Sequence, residues 1–253
     1  MPTPLIFKDY FSDQPSKYNQ FRPDYPESLF CFLASISDNN TCVWDCATGN
    51  GQAACSLAKH FVKVIATDAS QAQIDQAVQC SGVQYHVATA EQSHIQSNSI
   101  DLITVAQAFH WFDQGAFSTE ASRVLKRHGL IAVWTYNLLS IHPEVDDIIY
   151  RLYDDTLGDF WAFERKIVET GYKDVSLPFK PASTPLFEMT VQWDLSQLIG
   201  YLCTWSAVKK YQLKYGTNPV ETIYVDLLNA WGNADVKCRA QWPLSVRVWK
   251  KIN

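Results

Sequence analysis

The chain has 253 residues, which suits one domain with an insertion or one and a half domains, and at 47% hydrophobic and 13% aromatic it can bury a sizeable core. Its 21 basic residues against 26 acidic ones give a net charge of -5, and this argues against a nucleic-acid binder, which normally carries a basic surplus. The start, MPTPLIFKDYF, lacks a charged region followed by a long apolar run, and stretches such as Leu130 to Trp134 are far too short to cross a bilayer. A cytoplasmic protein without membrane contact is the expectation.

In chain order, residues 1–40 are expected to form a helical cap. Thr41 to Asp45 is a short apolar run ending in an acid, followed at once by Gly49 and Gly51. Gln52 to Lys59 has helical apolar spacing at Ala54, Leu57 and Ala58. Val62 to Ala66 reads as a second buried strand closed by Thr67 and Asp68, Gln71 to Cys80 as a helix, and Val83 to Val87 as a third strand. Ile100 to Ala106 is a fourth strand, Phe117 to Lys126 a helix, and Gly129 to Thr135 a fifth strand. Such alternation gives an α/β fold with a parallel sheet covered on both faces.

Beyond residue 136 the pattern changes. Glu144 to Leu157 is helical in pattern, and Pro178, Pro181 and Pro185 break up the next stretch. Leu195 to Tyr215 reads as one aromatic-rich helix, and Gln241 to Trp249 alternates as a strand. The economical architecture is a core over 41–136, a helical lid over 137–240 and an antiparallel edge strand over 241–253. The seven cysteines, at 31, 42, 46, 55, 80, 203 and 238, form no CxxC pair, and no histidine falls at zinc-finger spacing. They read as buried or partly buried free thiols in a reducing compartment.

Val43 to Gln52, VWDCATGNGQ, carries the sharpest signal. It joins a strand to a helix at the carboxyl end of the first strand, the edge where open parallel sheets bind ligands. Gly49 and Gly51 allow a sharp turn and a close backbone approach, and the helix behind them offers free N–H groups. Asp68 ends the second strand, where its two oxygens can accept both ribose hydroxyls. A tight turn without a ligand explains the loop alone; loop and acid together point to a nucleoside cofactor. A dinucleotide fold would show GxGxxG led by an uncharged residue. Here Asp45 leads and Ala47 replaces the first glycine. A carboxylate there repels a pyrophosphate but suits the ammonium and sulfonium of S-adenosylmethionine.

With these residues in view, the chain resembles a class I S-adenosylmethionine-dependent methyltransferase, of the type 11 domain and the group that includes trans-aconitate methyltransferases. The matching segments are Tyr18 to Pro26, Asp45 to Gly51, Thr67 to Ser70, Thr89 to Glu91, Asp101 to Asp113 and Tyr201 to Val208. The run Ala-Gln-Ala-Phe-His-Trp-Phe at 106–112 is the most specific of them. The resemblance implies a Rossmann-like, seven-stranded, mostly parallel sheet. It implies that Asp45 and the backbone at Ala47, Gly49 and Gly51 hold the methionine part, that Asp68 holds the ribose, and that Ala69, Ala90 and Glu91 border the adenine. Gln107 and Ala108 would lie beneath the sulfonium, with Tyr18 closing the pocket. Ala47 in place of glycine adds a methyl group near the cofactor, and Thr89 stands where many members have an Asp near the adenine amine.

For the acceptor, His110 is the candidate catalytic base or substrate donor, set against a histidine that only hydrogen-bonds and shapes the floor. Arg22 is a candidate to orient a carboxylate, set against a salt bridge at a helix start. Trp111, Tyr136, Trp205 and Tyr211 are candidates to line an apolar substrate pocket, set against ordinary core packing. His60, His86, His94, His128 and His142 have no carboxylate at metal-ligand spacing, so no metal is expected. The favoured activity is methyl transfer to a small molecule, with a carboxylate oxygen as the acceptor that the family resemblance implies. The alternatives are a quinone, lipid or other apolar metabolite as acceptor, a non-catalytic binding module, and, least favoured, a dinucleotide oxidoreductase.

Overall fold

Four short strands build the centre of the computed structural model, which describes residues 21–252. They are β1 (Cys42–Cys46), β2 (Lys63–Asp68), β3 (Val83–Val87) and β4 (Ile100–Ala106), followed by the longer β5 (Leu125–Tyr136). All neighbouring pairs among these five are parallel. Three later strands complete the sheet: β6 (Lys180–Ala182), β7 (Phe187–Trp193) and β8 (Cys238–Lys250). The order is β3-β2-β1-β4-β5-β8-β6, with β8 antiparallel to β5. Both β6 and β7 pair antiparallel with β8, so the sheet has eight strands rather than seven.

Side-chain alternation sends neighbouring residues into two cores. Leu102, Leu130, Ala132 and Trp134 face α1 (Glu27–Ile36), packing with Leu29, Phe30 and Leu33. The same core takes in Ala53, Ala54 and Leu57 of α2 (Gln52–Leu57). The helix expected over 71–80 is only α3 (Gln71–Asp75), because Val78 turns its N–H to Asn50 O. On the other face, Ile103, Val105, Ile131 and Val133 meet α4 (Gln114–Val124), packing with Phe117, Ala121 and Val124. Asp113 starts α4 by accepting the N–H groups of Gly115 and Ala116, each at 3.0 Å, a cap that holds the segment after β4 in place. At the opposite edge of the sheet, Asp101 accepts from the N–H groups of Thr41 and Cys42, from the Thr41 hydroxyl and from Lys126 Nζ. One buried carboxylate thereby joins β1, β4 and β5; burial alone would raise its pKa, but Lys126 and Thr41 hold it below the ordinary value.

Four further expectations need correction. The strand expected at the edge over 241–253 is β8, which begins at Cys238 and lies inside the sheet, between β5 and the pair β6 and β7. Cys80 is bonded to Cys55 as a disulfide and Cys31 is exposed, so two of the seven cysteines are not free thiols, a third is not buried, and the reducing compartment loses that support. Segment 137–240 is not purely helical, since it contributes β6 and β7. Its helices include α5 (Pro143–Arg151), continued by a π-helical turn over Leu152–Thr156, and α6 (Lys166–Glu169). The single helix expected over 195–215 is α7 (Leu195–Cys203) and α8 (Ser206–Tyr215). Thr204 bonds its hydroxyl back to Tyr201 O at 2.6 Å, and Trp205 is extended, which ends one helix and opens the next. Among the described residues, no helix is long and apolar enough to cross a membrane.

Candidate active site

Strand order reverses at β1, which lies between β2 and β4, and the carboxyl ends of these strands form the ligand-binding edge of such a sheet. The loop from Asp45 to Gly51 sits there. Three of its residues have left-handed backbones: Ala47 (φ 55), Gly49 (φ 56) and Gly51 (φ 86). Ala47 is an L-residue in a region that glycine occupies without strain. Gly51 cannot carry a side chain, because a Cβ would run into the Tyr85 phenol, whose hydroxyl is itself bonded to Val78 O.

Asp45 is 1% exposed. Its Oδ2 accepts from the Thr48 hydroxyl at 2.5 Å and its Oδ1 from the Thr104 hydroxyl at 2.8 Å. Burial pushes its pKa up to about 6; the two hydroxyls oppose that rise and Asp68 adds to it. Thr48 therefore lies directly on the carboxylate, a partner that sequence reading did not single out. Asp68, half-buried at the end of β2, accepts from Gly49 N–H at Oδ2 and from Ser70 N–H at Oδ1, both at 2.9 Å. It thus braces the glycine loop from the neighbouring strand. Ala69 comes directly after it, and Ala90 is buried beside Glu91, which accepts the Asp113 N–H at 3.2 Å.

Gln107, directly after β4, also has a left-handed backbone (φ 56). Its amide is fixed at both ends, donating to Tyr136 O at 3.2 Å and accepting from the Thr135 hydroxyl at 2.7 Å. Ala108 leads into the turn Phe109–Trp111. There His110 Nδ1 lies 2.9 Å from the Tyr172 hydroxyl, and its ring is 4.6 Å from that of Trp111. Burial, with the charge of Arg165 nearby, lowers the His110 pKa to about 3, so the imidazole is neutral. Tyr172 itself is reached through two left-handed residues, Gly171 (φ 61) and Tyr172 (φ 58).

Arg22 donates to the Tyr136 hydroxyl at 3.0 Å and lies 5.0 Å from the Tyr201 ring centroid. Trp205 contacts Tyr201, Tyr153 and Trp161. Tyr211 belongs to a different stack, with Phe160 and Tyr215. Tyr18 lies outside the described residues. Sequence reading missed Arg165, Trp161 and Tyr172, which reach the site from short turns with no periodic signal, and Tyr153, which stands in the π-helical turn at the end of α5. It also missed the contact between His60 and Glu27: His60 Nε2 is 2.8 Å from Glu27 Oε1, with Cys31 in the same cluster, so this histidine does have a carboxylate partner.

Residues 44–133 match a family model described as a methyltransferase domain. A Dictyostelium discoideum protein named as a methyltransferase is 35% identical over 240 residues, 93% of this chain and 91% of its own length. A Saccharomyces cerevisiae protein named as an S-adenosylmethionine-dependent methyltransferase is 28% identical over 139 residues, 51% of this chain and 46% of its own. A solved structure from Anaeromyxobacter dehalogenans, named as a type II methyltransferase, superposes with a TM-score of 0.86 at 38% identity, over 92% of this chain and 99% of that one. With this likeness carried across nine-tenths of the chain, the protein belongs to the class I S-adenosylmethionine-dependent methyltransferase family.

Proposed function

We propose that this chain binds S-adenosylmethionine at the β1–β2–β4 edge and methylates a small molecule at a carboxylate oxygen. The observation that carries the cofactor is the pair of acids flanking one left-handed loop. Asp45 is buried and pushed up towards pH 6 with Asp68 close by, an arrangement that a bound cation relieves. An anionic pyrophosphate would worsen it. When bound, S-adenosylmethionine supplies an electrophilic methyl carbon on a sulfonium. Asp45 and the Thr48 hydroxyl on it favour the ammonium end, Asp68 offers acceptors to ribose hydroxyls, and the Gly49–Gly51 backbone allows close approach. Ala69, Ala90 and Glu91 would border the adenine, and Gln107 and Ala108 the sulfonium.

The acceptor class rests on what His110 is unable to do. A neutral imidazole with a pKa near 3, turned to the Tyr172 hydroxyl, is a weak proton acceptor at neutral pH. A carboxylate is already ionised and needs no base. With S-adenosylmethionine bound, the carboxylate oxygen would take the methyl group as the carbon–sulfur bond broke, the electron pair going to sulfur and no proton being transferred. The chain's share is positioning and water exclusion. In this reading His110 and Trp111 form the floor, and Tyr136 and Trp205 the wall, of the acceptor pocket.

The aromatic lining favours a second reading, an apolar metabolite methylated at oxygen or carbon. Incubation with methyl-labelled S-adenosylmethionine and two acceptor sets, carboxylic acids and phenolic or quinol lipids, separates them. Label appearing in base-labile methyl esters supports the carboxylate reading. Label only in the phenolic set would replace it.

A further inference from the structure

Arg165 holds a charge that no described acid neutralises by direct contact. Its turn, Phe163–Arg165, packs against Phe109–Trp111. The guanidinium is half-buried, 4.3 Å from the Trp161 ring centroid and 5.4 Å from that of Tyr153. Nε donates to the Tyr153 hydroxyl at 3.0 Å and Nη2 to Asn137 Oδ1 at 3.4 Å. Glu169 does not pair with it directly, because that carboxylate accepts the Tyr153 hydroxyl at 2.6 Å. Among the described residues, no carboxylate lies within ion-pair distance of Arg165. Partial burial of an uncompensated cation is unfavourable, and the rest of its five N–H donors suit a planar anion.

The surroundings describe the rest of that anion. Trp161 carries Arg165 on its face and packs on Trp205 at 5.6 Å, and Trp205 packs on Tyr201 at 6.0 Å. The basic group therefore stands at the rim of an aromatic cluster in which Tyr153, Tyr201 and Trp205 are buried and Trp161 is half-exposed. A carboxylate on an apolar body engages both Arg165 and the exposed part of Trp161.

We infer that Arg165 is the specificity-determining residue for the acceptor, and that the acceptor is a monocarboxylate whose charge meets Arg165 and whose apolar body lies against the half-exposed Trp161. This rests on the methyl-transfer reading above. It also supplies a route for release, because methylation removes the negative charge that Arg165 holds.

The test is binding of phenylacetate and octanoate, against phenylacetamide and octanamide, monitored by quenching of tryptophan fluorescence in the full chain. The wild type should prefer each acid to its amide by roughly tenfold or more, the range for a charge-assisted contact. Arg165→Gln should abolish that preference and Arg165→Lys restore part of it, with binding of S-adenosylhomocysteine unchanged in both by calorimetry. Equal binding of acid and amide by the wild type, absence of acid binding, or a preference that survives in Arg165→Gln would overturn the proposal. Loss of S-adenosylhomocysteine binding by the wild type would instead strike the methyl-transfer reading, which the acid-to-amide ratio does not measure.

Discussion

Replacing Asp45 with Asn should stabilise the ligand-free protein at pH 8 while weakening its hold on a cationic cofactor. Burial raises the Asp45 pKa from 3.8 to about 6 even with two threonine hydroxyls bonded to it. A difference of about two pH units corresponds to about 3 kcal/mol. Because the folded-state pKa of this acid is raised, the charged form penalises folding. The penalty is full above pH 6, shrinks as the pH falls through 6, and is nearly gone at 3.8. The amide avoids it but obliges Thr48 and Thr104 to reorient, so a net gain of about 1–3 kcal/mol is expected. Urea unfolding at pH 8 and at pH 4 measures this. The gain should be present at pH 8 and mostly absent at pH 4. A loss at pH 8, or the same change at both values, would refute the electrostatic reasoning.

Ala47→Gly should relieve the left-handed backbone at that position and stabilise the chain by about 1 kcal/mol, seen as a rise of roughly 2–4 °C in Tm. A fall in Tm would mean that Ala47 is not strained. The Cys55–Cys80 disulfide spans 25 residues and should contribute about 3 kcal/mol. Cys80→Ser should unfold at lower urea than the oxidised wild type, and the gap should close in dithiothreitol; a gap that persists there would assign the loss to packing. Arg123, and secondarily Ser93, lower the Glu120 pKa from 4.5 to about 2. The stability this acid provides is present above pH 4.5 and lost as the pH falls from there through 2. Acid unfolding of Glu120→Gln should therefore be less steep across that window, and identical profiles would count against the pairing.

Sequence is legible where short-range pattern decides structure. The runs at 42–46, 63–68 and 100–106 are short and largely buried, as strands of a parallel sheet covered on both faces are. The glycine loop was readable because Gly51 permits a conformation that other residues resist. The strands at 180–182 and 187–193 were hidden by Pro181 and Pro185, although Pro181 is tolerated on β6 because that strand ends the sheet. Arg165 and Tyr172 come from a 3₁₀ turn and a left-handed pair, where no period exists to read. The Cys55–Cys80 bond depends on how β2 and α3 fold the chain back onto α2, which cysteine spacing does not encode.

Titration calorimetry with S-adenosylmethionine and S-adenosylhomocysteine, with NAD as the control, tests the central claim most directly. The account predicts micromolar binding of the first two and none of NAD, with Asp68→Ala weakening binding by about 1.5–3 kcal/mol. Absence of binding to either, or tighter binding of NAD, would contradict it and leave a methyltransferase fold serving as a binding module.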